Sequence, residues 1–129
     1  MADVPRGRFV WHELNTSDPD AAKRFYSAIF GWVKGEAMNM GPMGTYQMYG
    51  REGQAPEGGM MTTPPGHPGP PASWLHYVRV PDVAAALEQV KALGGQVLNG
   101  PQEVPGGDQV AQCLDPQGAA FAIHAKKAE

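Results

Sequence analysis

Along the chain, short stretches rich in aromatic and branched residues are interrupted by two segments of helical period, and the order of the two kinds recurs. Phe9 to Thr16 predicts a strand. Asp18-Pro19 then predicts a helix start, because Asp can cap free backbone amides and Pro suits the first helical position. Ala22, Phe25, Tyr26 and Ile29 follow at helical spacing and predict a buried face, with Phe25 and Tyr26 as core residues. Gly31 stands where a left-handed stop is wanted. Trp32 to Ala37, Thr45 to Tyr49 and Gly58 to Thr62 predict three short strands separated by Gly-rich turns.

The second half repeats the order. Trp74 to Val80 predicts a strand, Asp82 a cap, and Val83, Ala86, Leu87, Val90 and Leu93 a buried helix face ending at Gly94-Gly95. Gln96 to Asn99, Gln109 to Leu114 and Ala119 to Ala125 predict three more strands. Pro101 to Asp108 reads as a turn-rich loop, and Asp115-Pro116-Gln117-Gly118 has the chemistry of a type I turn. A shift of 64 residues lays His12 on His76, Asp18 on Asp82, Ala21 and Ala22 on Ala85 and Ala86, and Gly31 on Gly95. The pattern is βαβββ, twice. Between the copies, Pro64-Pro65-Gly66-His67-Pro68-Gly69-Pro70-Pro71 excludes helix and inner strand, since proline lacks the amide donor. The expectation is one domain, 1–129, made of module 8–63, an extended linker 64–72 with His67 as a solvated loop residue, and module 73–125. Residues 1–7 read as a loose polar arm.

Composition narrows the function classes. The chain has 129 residues, enough to bury a core without staples. The net charge of −3 is scattered, with no basic stripe, which argues against nucleic acid as a partner. A single cysteine, Cys113, allows no intrachain disulfide and suits a reducing, cytoplasmic setting as a buried small residue. No apolar run has membrane-spanning length and no signal-peptide layout opens the chain, so a membrane is not expected. The 17 glycines and 13 prolines suit a strand-rich fold with many turns. There is no G-x-S-x-G and no phosphate-cradling or dinucleotide glycine motif.

Two βαβββ modules, the helix Asp18-Pro19 to Phe30-Gly31-Trp32 and the hairpin Asp115-Pro116-Gln117-Gly118 to Phe121 together resemble the vicinal oxygen chelate superfamily of glyoxalase I, bleomycin-resistance proteins, fosfomycin-resistance proteins and extradiol dioxygenases. The resemblance covers residues 8–125 and is strongest to small glyoxalase-like members. It implies an α+β fold in which two tandem βαβββ modules form a cup-shaped mixed sheet with helices outside and the ligand inside. It also implies a homodimer.

The resemblance raises the question of a divalent metal, which many members use as a Lewis acid on two neighbouring substrate oxygens. His12, His76 and nearby Glu13 invite that reading. In the metal-binding members, however, the first-strand ligand positions correspond to Trp11 and Leu75 here, and the last-strand position to Ala122. None of the three is a metal donor, and a one-residue slip turns a side chain to the other face of the sheet. The expectation is therefore no metal and no other cofactor, with His12 and His76 as neutral core residues facing the helices. The minority alternative makes His12 and His76 ligands, which requires strand bulges in both modules.

On the same register Trp11, Glu13, Asn15, Leu75, Tyr77, Arg79, Ala122 and His124 face the cup, with Phe121 and Ile123 toward the core. Such a set resembles an organic-ligand pocket, an aromatic wall with a few polar groups. Glu13 and Arg79 read as a recognition pair, a base with a charge partner, or an ordinary rim ion pair. Met38, Met40, Met43, Met48, Met60 and Met61 can fill the core or line an adaptable site. The reading is a glyoxalase/bleomycin-resistance-like protein that binds a small organic ligand. The alternative is a metal-dependent or Glu-based lyase, isomerase or dioxygenase, with Glu13 and His124 as catalytic residues. A second alternative is a non-catalytic structural or interaction module.

Overall fold

The computed structural model of the chain describes residues 5–39, 41, 44–64, 66 and 72–127. The element order is β1 (Phe9–Thr16), α1 (Pro19–Phe30), β2 (Val33–Asn39), β3 (Thr45–Gly50), β4 (Gly58–Thr62), β5 (Ser73–Arg79), α2 (Val83–Ala92), β6 (Gln96–Glu103), β7 (Gln109–Leu114) and β8 (Ala120–Ala125). This is the βαβββ order, twice. No helix among the described residues is long and apolar enough to cross a membrane.

The chain divides into two compact units, Trp11–Leu75 and Met1–Val10 with His76–Glu129. The divisions fall within β1 and β5. The start of the chain joins the later unit through paired backbone bonds, Gly7 N–H to Arg79 O and Arg79 N–H to Arg8 O, both 2.9 Å. Phe9 also lies against His76, ring centres 5.7 Å apart.

In the first unit the strand order is β2-β3-β4-β1, with β1 and β4 parallel and the other pairs antiparallel. Asp18 accepts the Ala21 N–H at 3.1 Å, Pro19 opens α1, and Gly31 closes it in the left-handed region (φ 71°) with its N–H on Ser27 O. The helix turns Ala22 and Tyr26 onto a core of Leu14, Tyr49, Met60, Trp32 and Trp74. The rings of that core are close-packed, with Trp32 4.6 Å from Tyr49 and Tyr26 5.4 Å from Trp74. Tyr49 donates its hydroxyl to His12 O at 2.9 Å, and burial pushes its phenol above the ordinary value.

The expected helix face is too wide. Phe25 is 59% exposed and Ile29 56%, because they lie around the helix from the Ala22–Tyr26 stripe that meets the sheet. Phe25 packs edge-on against Tyr26. Met60 fills the core, whereas Met38 and Met48 are half-buried. Met40, Met43, His67 and most of the expected linker lie outside the described residues.

In the second unit the order is β5-β8-β7-β6, with β5 and β8 parallel and the other pairs antiparallel. This is the same arrangement strand for strand. Val83 and Leu87 of α2 pack on Ala111, Cys113, Ile123 and Ala125, with Ala86, Val90, Val97 and Phe121 around them. Leu93 is 75% exposed, contrary to expectation, because the helix has already ended at Ala92 and Leu93 is its cap. β6 also runs on to Glu103 through residues expected to form a loop. Register shifts on both sides of Asn99 spare Pro101 a ladder bond, and Gly100 passes so close to Ala111 that a side chain there would collide. Burial raises the Cys113 thiol above its ordinary pKa, as expected of an inert core cysteine.

Candidate functional site

In each unit the core occupies the sheet face that meets the helix, and the other face carries the polar residues. Leu14 of β1 packs under α1, so Trp11, Glu13 and Asn15 project from the opposite face. There they form one hydrogen-bonded row with Tyr46 of β3. Trp11 Nε1 donates to Tyr46 Oη at 2.8 Å, Tyr46 Oη donates to Glu13 Oε1 at 3.1 Å, and Asn15 Nδ2 reaches Glu13 Oε2 at 3.4 Å. Glu13 is 9% exposed and Asn15 5%. A buried carboxylate is tolerated where donors converge on it, and both Glu13 oxygens have one.

The row depends on two glycines. Glu13 pairs with Gly59 of β4 and His12 with Gly58. A Cβ on Gly59 would overlap the Tyr46 ring, and one on Gly58 would overlap His12 O. Gly59 thus lets the Tyr46 ring lie flat on the strand and bring its hydroxyl between indole and carboxylate, while Gly58 keeps β4 close to β1. Met61 of β4 and Met48 of β3 alternate onto the same face and flank the row.

In the second unit Ile123 and Ala125 face α2, which leaves Ala122 and His124 on the other side of β8. Tyr77 pairs with Ala122 and Arg79 with His124. Tyr77 Oη accepts from Gln112 Nε2 of β7 at 2.9 Å. His124 Nε2 lies 3.1 Å from Asp108 Oδ2. Burial lowers the His124 pKa below its ordinary value, the Arg79 charge lowers it further, and Asp108 pulls the other way. Tyr77, Arg79 and Ala122 are buried, as is Leu75 at the end of the first unit.

Trp11, Glu13 and Asn15 thus share one polar face in the first unit, and Tyr77, Ala122, Arg79 and His124 share one in the second. Tyr46 links Trp11 to Glu13, Asn15 reaches Glu13 directly, and Arg79 and His124 are neighbours in the strand register. The histidines expected in the core differ. His76 is exposed, because α2 covers β7 and β8 and leaves that side of β5 to Phe9. His12 is only half-buried. Trp11, Leu75 and Ala122 carry indole, isobutyl and methyl side chains, none of which is a metal donor. Among the described residues no group of three or more His, Cys, Asp or Glu side chains could hold a metal.

Sequence reasoning missed Tyr46, Gln112 and Asp108. Gly58-Gly59 inside a strand is the signal that points to Tyr46, since paired glycines there mark the close approach of another group. Asp108 lies in a loop and carries no such mark.

The chain matches the Glyoxalase/Bleomycin resistance protein/Dioxygenase superfamily over residues 8–123. The protein CFP32 of Mycobacterium tuberculosis, whose name includes the word glyoxylase, is 36% identical over 117 residues, covering 91% of this chain and 43% of its own. The anthracycline biosynthesis protein DnrV of Streptomyces peucetius is 32% identical over 136 residues, covering 98% of this chain and 50% of its own. The chain thus spans about half the length of the curated relatives it matches. Among solved structures, methylmalonyl-CoA epimerase from Mycobacterium tuberculosis superposes with a TM-score of 0.69 at 12% identity, over 99% of this chain and 94% of that one. The Streptomyces coelicolor epimerase in complex with 2-nitronate-propionyl-CoA gives 0.67 at 16% identity, over 96% and 100%. With the tandem βαβββ order and the paired helix caps, these matches place the chain in the glyoxalase/bleomycin resistance protein/dioxygenase superfamily.

Proposed function

We propose that this protein binds a small organic molecule on the sheet faces that turn away from the helices, without a divalent ion at the superfamily's usual ligand positions. The observation that carries the reading is the Trp11–Tyr46–Glu13–Asn15 row. An indole and a phenol supply an aromatic wall, and a carboxylate fixed by two donors supplies one oriented acceptor. Met48 and Met61 beside them adapt to apolar surface. Indole, isobutyl and methyl side chains at the relatives' metal positions support the metal-free half.

Titration of a panel of aromatic and short-acyl compounds, followed by tryptophan fluorescence and calorimetry, tests it. Binding should be insensitive to EDTA, lose its fluorescence response in Trp11→Phe, and weaken about tenfold in Glu13→Gln, the cost of one charged hydrogen bond. Tight zinc or nickel binding abolished by His12→Ala and His76→Ala overturns the metal-free reading. A panel without a single binder overturns the binding reading.

A second reading is favoured by the burial and fixed position of Glu13, which suit a carboxylate that takes a proton from a bound substrate. In that case the protein is an isomerase or lyase with Glu13 as the proton-transfer group. Incubation in deuterated water with methylmalonyl-CoA, the substrate class named for the structural relatives, or with the methylglyoxal–glutathione adduct, separates the two. Deuterium uptake lost in Glu13→Gln establishes turnover, and binding without exchange leaves the first reading.

A further inference from the structure

Asp108 lies between β6 and β7, and its carboxylate has two partners among the described residues. Its Oδ1 accepts the Lys127 N–H at 2.8 Å, which ties the chain beyond β8 to this loop. Its Oδ2 faces Nε2 of His124 at 3.1 Å. The His124 side chain is 16% exposed, and its other nitrogen, Nδ1, is buried with no hydrogen-bond partner among the described residues. A neutral imidazole carries one N–H and one lone pair, and an ionised carboxylate only accepts. The proton therefore belongs on Nε2, toward Asp108, and the lone pair on Nδ1. Burial and the positive charges of Arg79 and Lys126 keep the ring neutral against the opposite pull of Asp108.

We propose that Asp108 is a positioning residue that holds His124 in the Nε2–H tautomer, so that Nδ1 serves as a hydrogen-bond acceptor for a phenolic or enolic hydroxyl of the ligand. The inference rests on the reading that the face carrying His124 receives a ligand. The class follows from the surroundings. A lone pair sheltered from water demands a donor, and a ring with a lowered pKa accepts a hydrogen bond without removing the proton. Arg79, beside His124 in the sheet register, favours a hydroxyl that carries partial negative charge. Phenols and enols meet both conditions better than aliphatic alcohols.

Long-range proton–nitrogen spectra of the full chain at pH 7 read the tautomer directly. The expected result is a protonated Nε2 and an unprotonated Nδ1 for His124. Asp108→Asn should move the population toward Nδ1–H, because the new amide donates to Nε2. The probes are 4-methylphenol and its methyl ether, which differ only in the donor. The phenol should shift the Nδ1 resonance and bind at least tenfold more tightly than the ether, and Asp108→Asn should erase that preference. An Nδ1–H or doubly protonated His124 in the unmodified protein overturns the positioning role, as does an unchanged tautomer in Asp108→Asn. Equal affinity for phenol and ether overturns the acceptor role. Phenol binding seen by calorimetry that leaves Nδ1 unmoved sinks this inference alone, whereas a compound panel without any binder sinks the reading beneath it.

Discussion

Tyr46→Phe removes one oxygen that serves two partners, and its cost can be worked from the structure. The hydroxyl donates to a buried carboxylate, Glu13, and accepts from the Trp11 indole. A hydrogen bond to a charged group contributes about 1.5–3 kcal/mol and a neutral one about 0.5–1.5 kcal/mol. The ring itself still fits over Gly59, so no packing is lost. The expected loss is about 2–4 kcal/mol, equivalent to a drop in Tm of about 8–15 °C for a domain of this size. Urea denaturation followed by far-ultraviolet circular dichroism avoids the altered surroundings of Trp11. A double-mutant cycle with Glu13→Ala isolates the phenol–carboxylate term, expected at about 1.5–3 kcal/mol. A loss below about 0.5 kcal/mol, or no coupling to Glu13, refutes the view that this hydroxyl organises the row.

Further outcomes follow from neighbouring features. Gly59→Ala should cost about 2 kcal/mol or more by driving the Tyr46 ring off the strand, and the cost should shrink in a Tyr46→Ala background; an equal cost in both, measured by urea denaturation, contradicts that account. The folded-state pKa of His124 lies below its ordinary value, so the unfolded chain takes up its proton first on acidification. Its contribution is complete at pH 7.5 and is lost as pH falls through about 6.5 toward the lower folded value, with a slope of at most about 1.4 kcal/mol per pH unit. Urea melts from pH 7.5 to 5 should show this slope in the unmodified protein and flatten it in His124→Gln. On the helices, Phe25→Ser should stay within about 0.5 kcal/mol because the ring is exposed, whereas Leu87→Ala should cost about 2–5 kcal/mol. Equal thermal shifts for the two refute the assignment of core and surface.

Several features were legible because they depend on neighbours in the chain. Asp18 and Asp82 accept from Ala21 and Ala85 three residues on, and Asp115 accepts from Gln117 and Ala119 in the turn expected of it. Strand alternation in turn placed Trp11, Glu13 and Asn15 on one face and Leu14 on the other. Features that depend on which surface covers an element were less legible. The periodicity of α1 could not show that the sheet meets only the Ala22–Tyr26 stripe and leaves Phe25 and Ile29 outside. Likewise, α2 leaves His76 uncovered, so its apolar neighbours in sequence gave a false sign of burial.

By itself the sequence determined the repeat, the order of elements and the face on which each strand residue lies. Caps, turns and the two-residue strand period are local physics, repeated in each half of the chain. Tertiary structure alone decided who meets Glu13 and His124. Tyr46 lies 33 residues from Glu13 and reaches it only because β3 and β1 both pair with β4 and Gly59 has no side chain. Asp108 reaches His124 only because β7 and β8 lie antiparallel. A hydrogen bond depends on distances of a few tenths of an ångström, and those are set when strands pair and side chains pack.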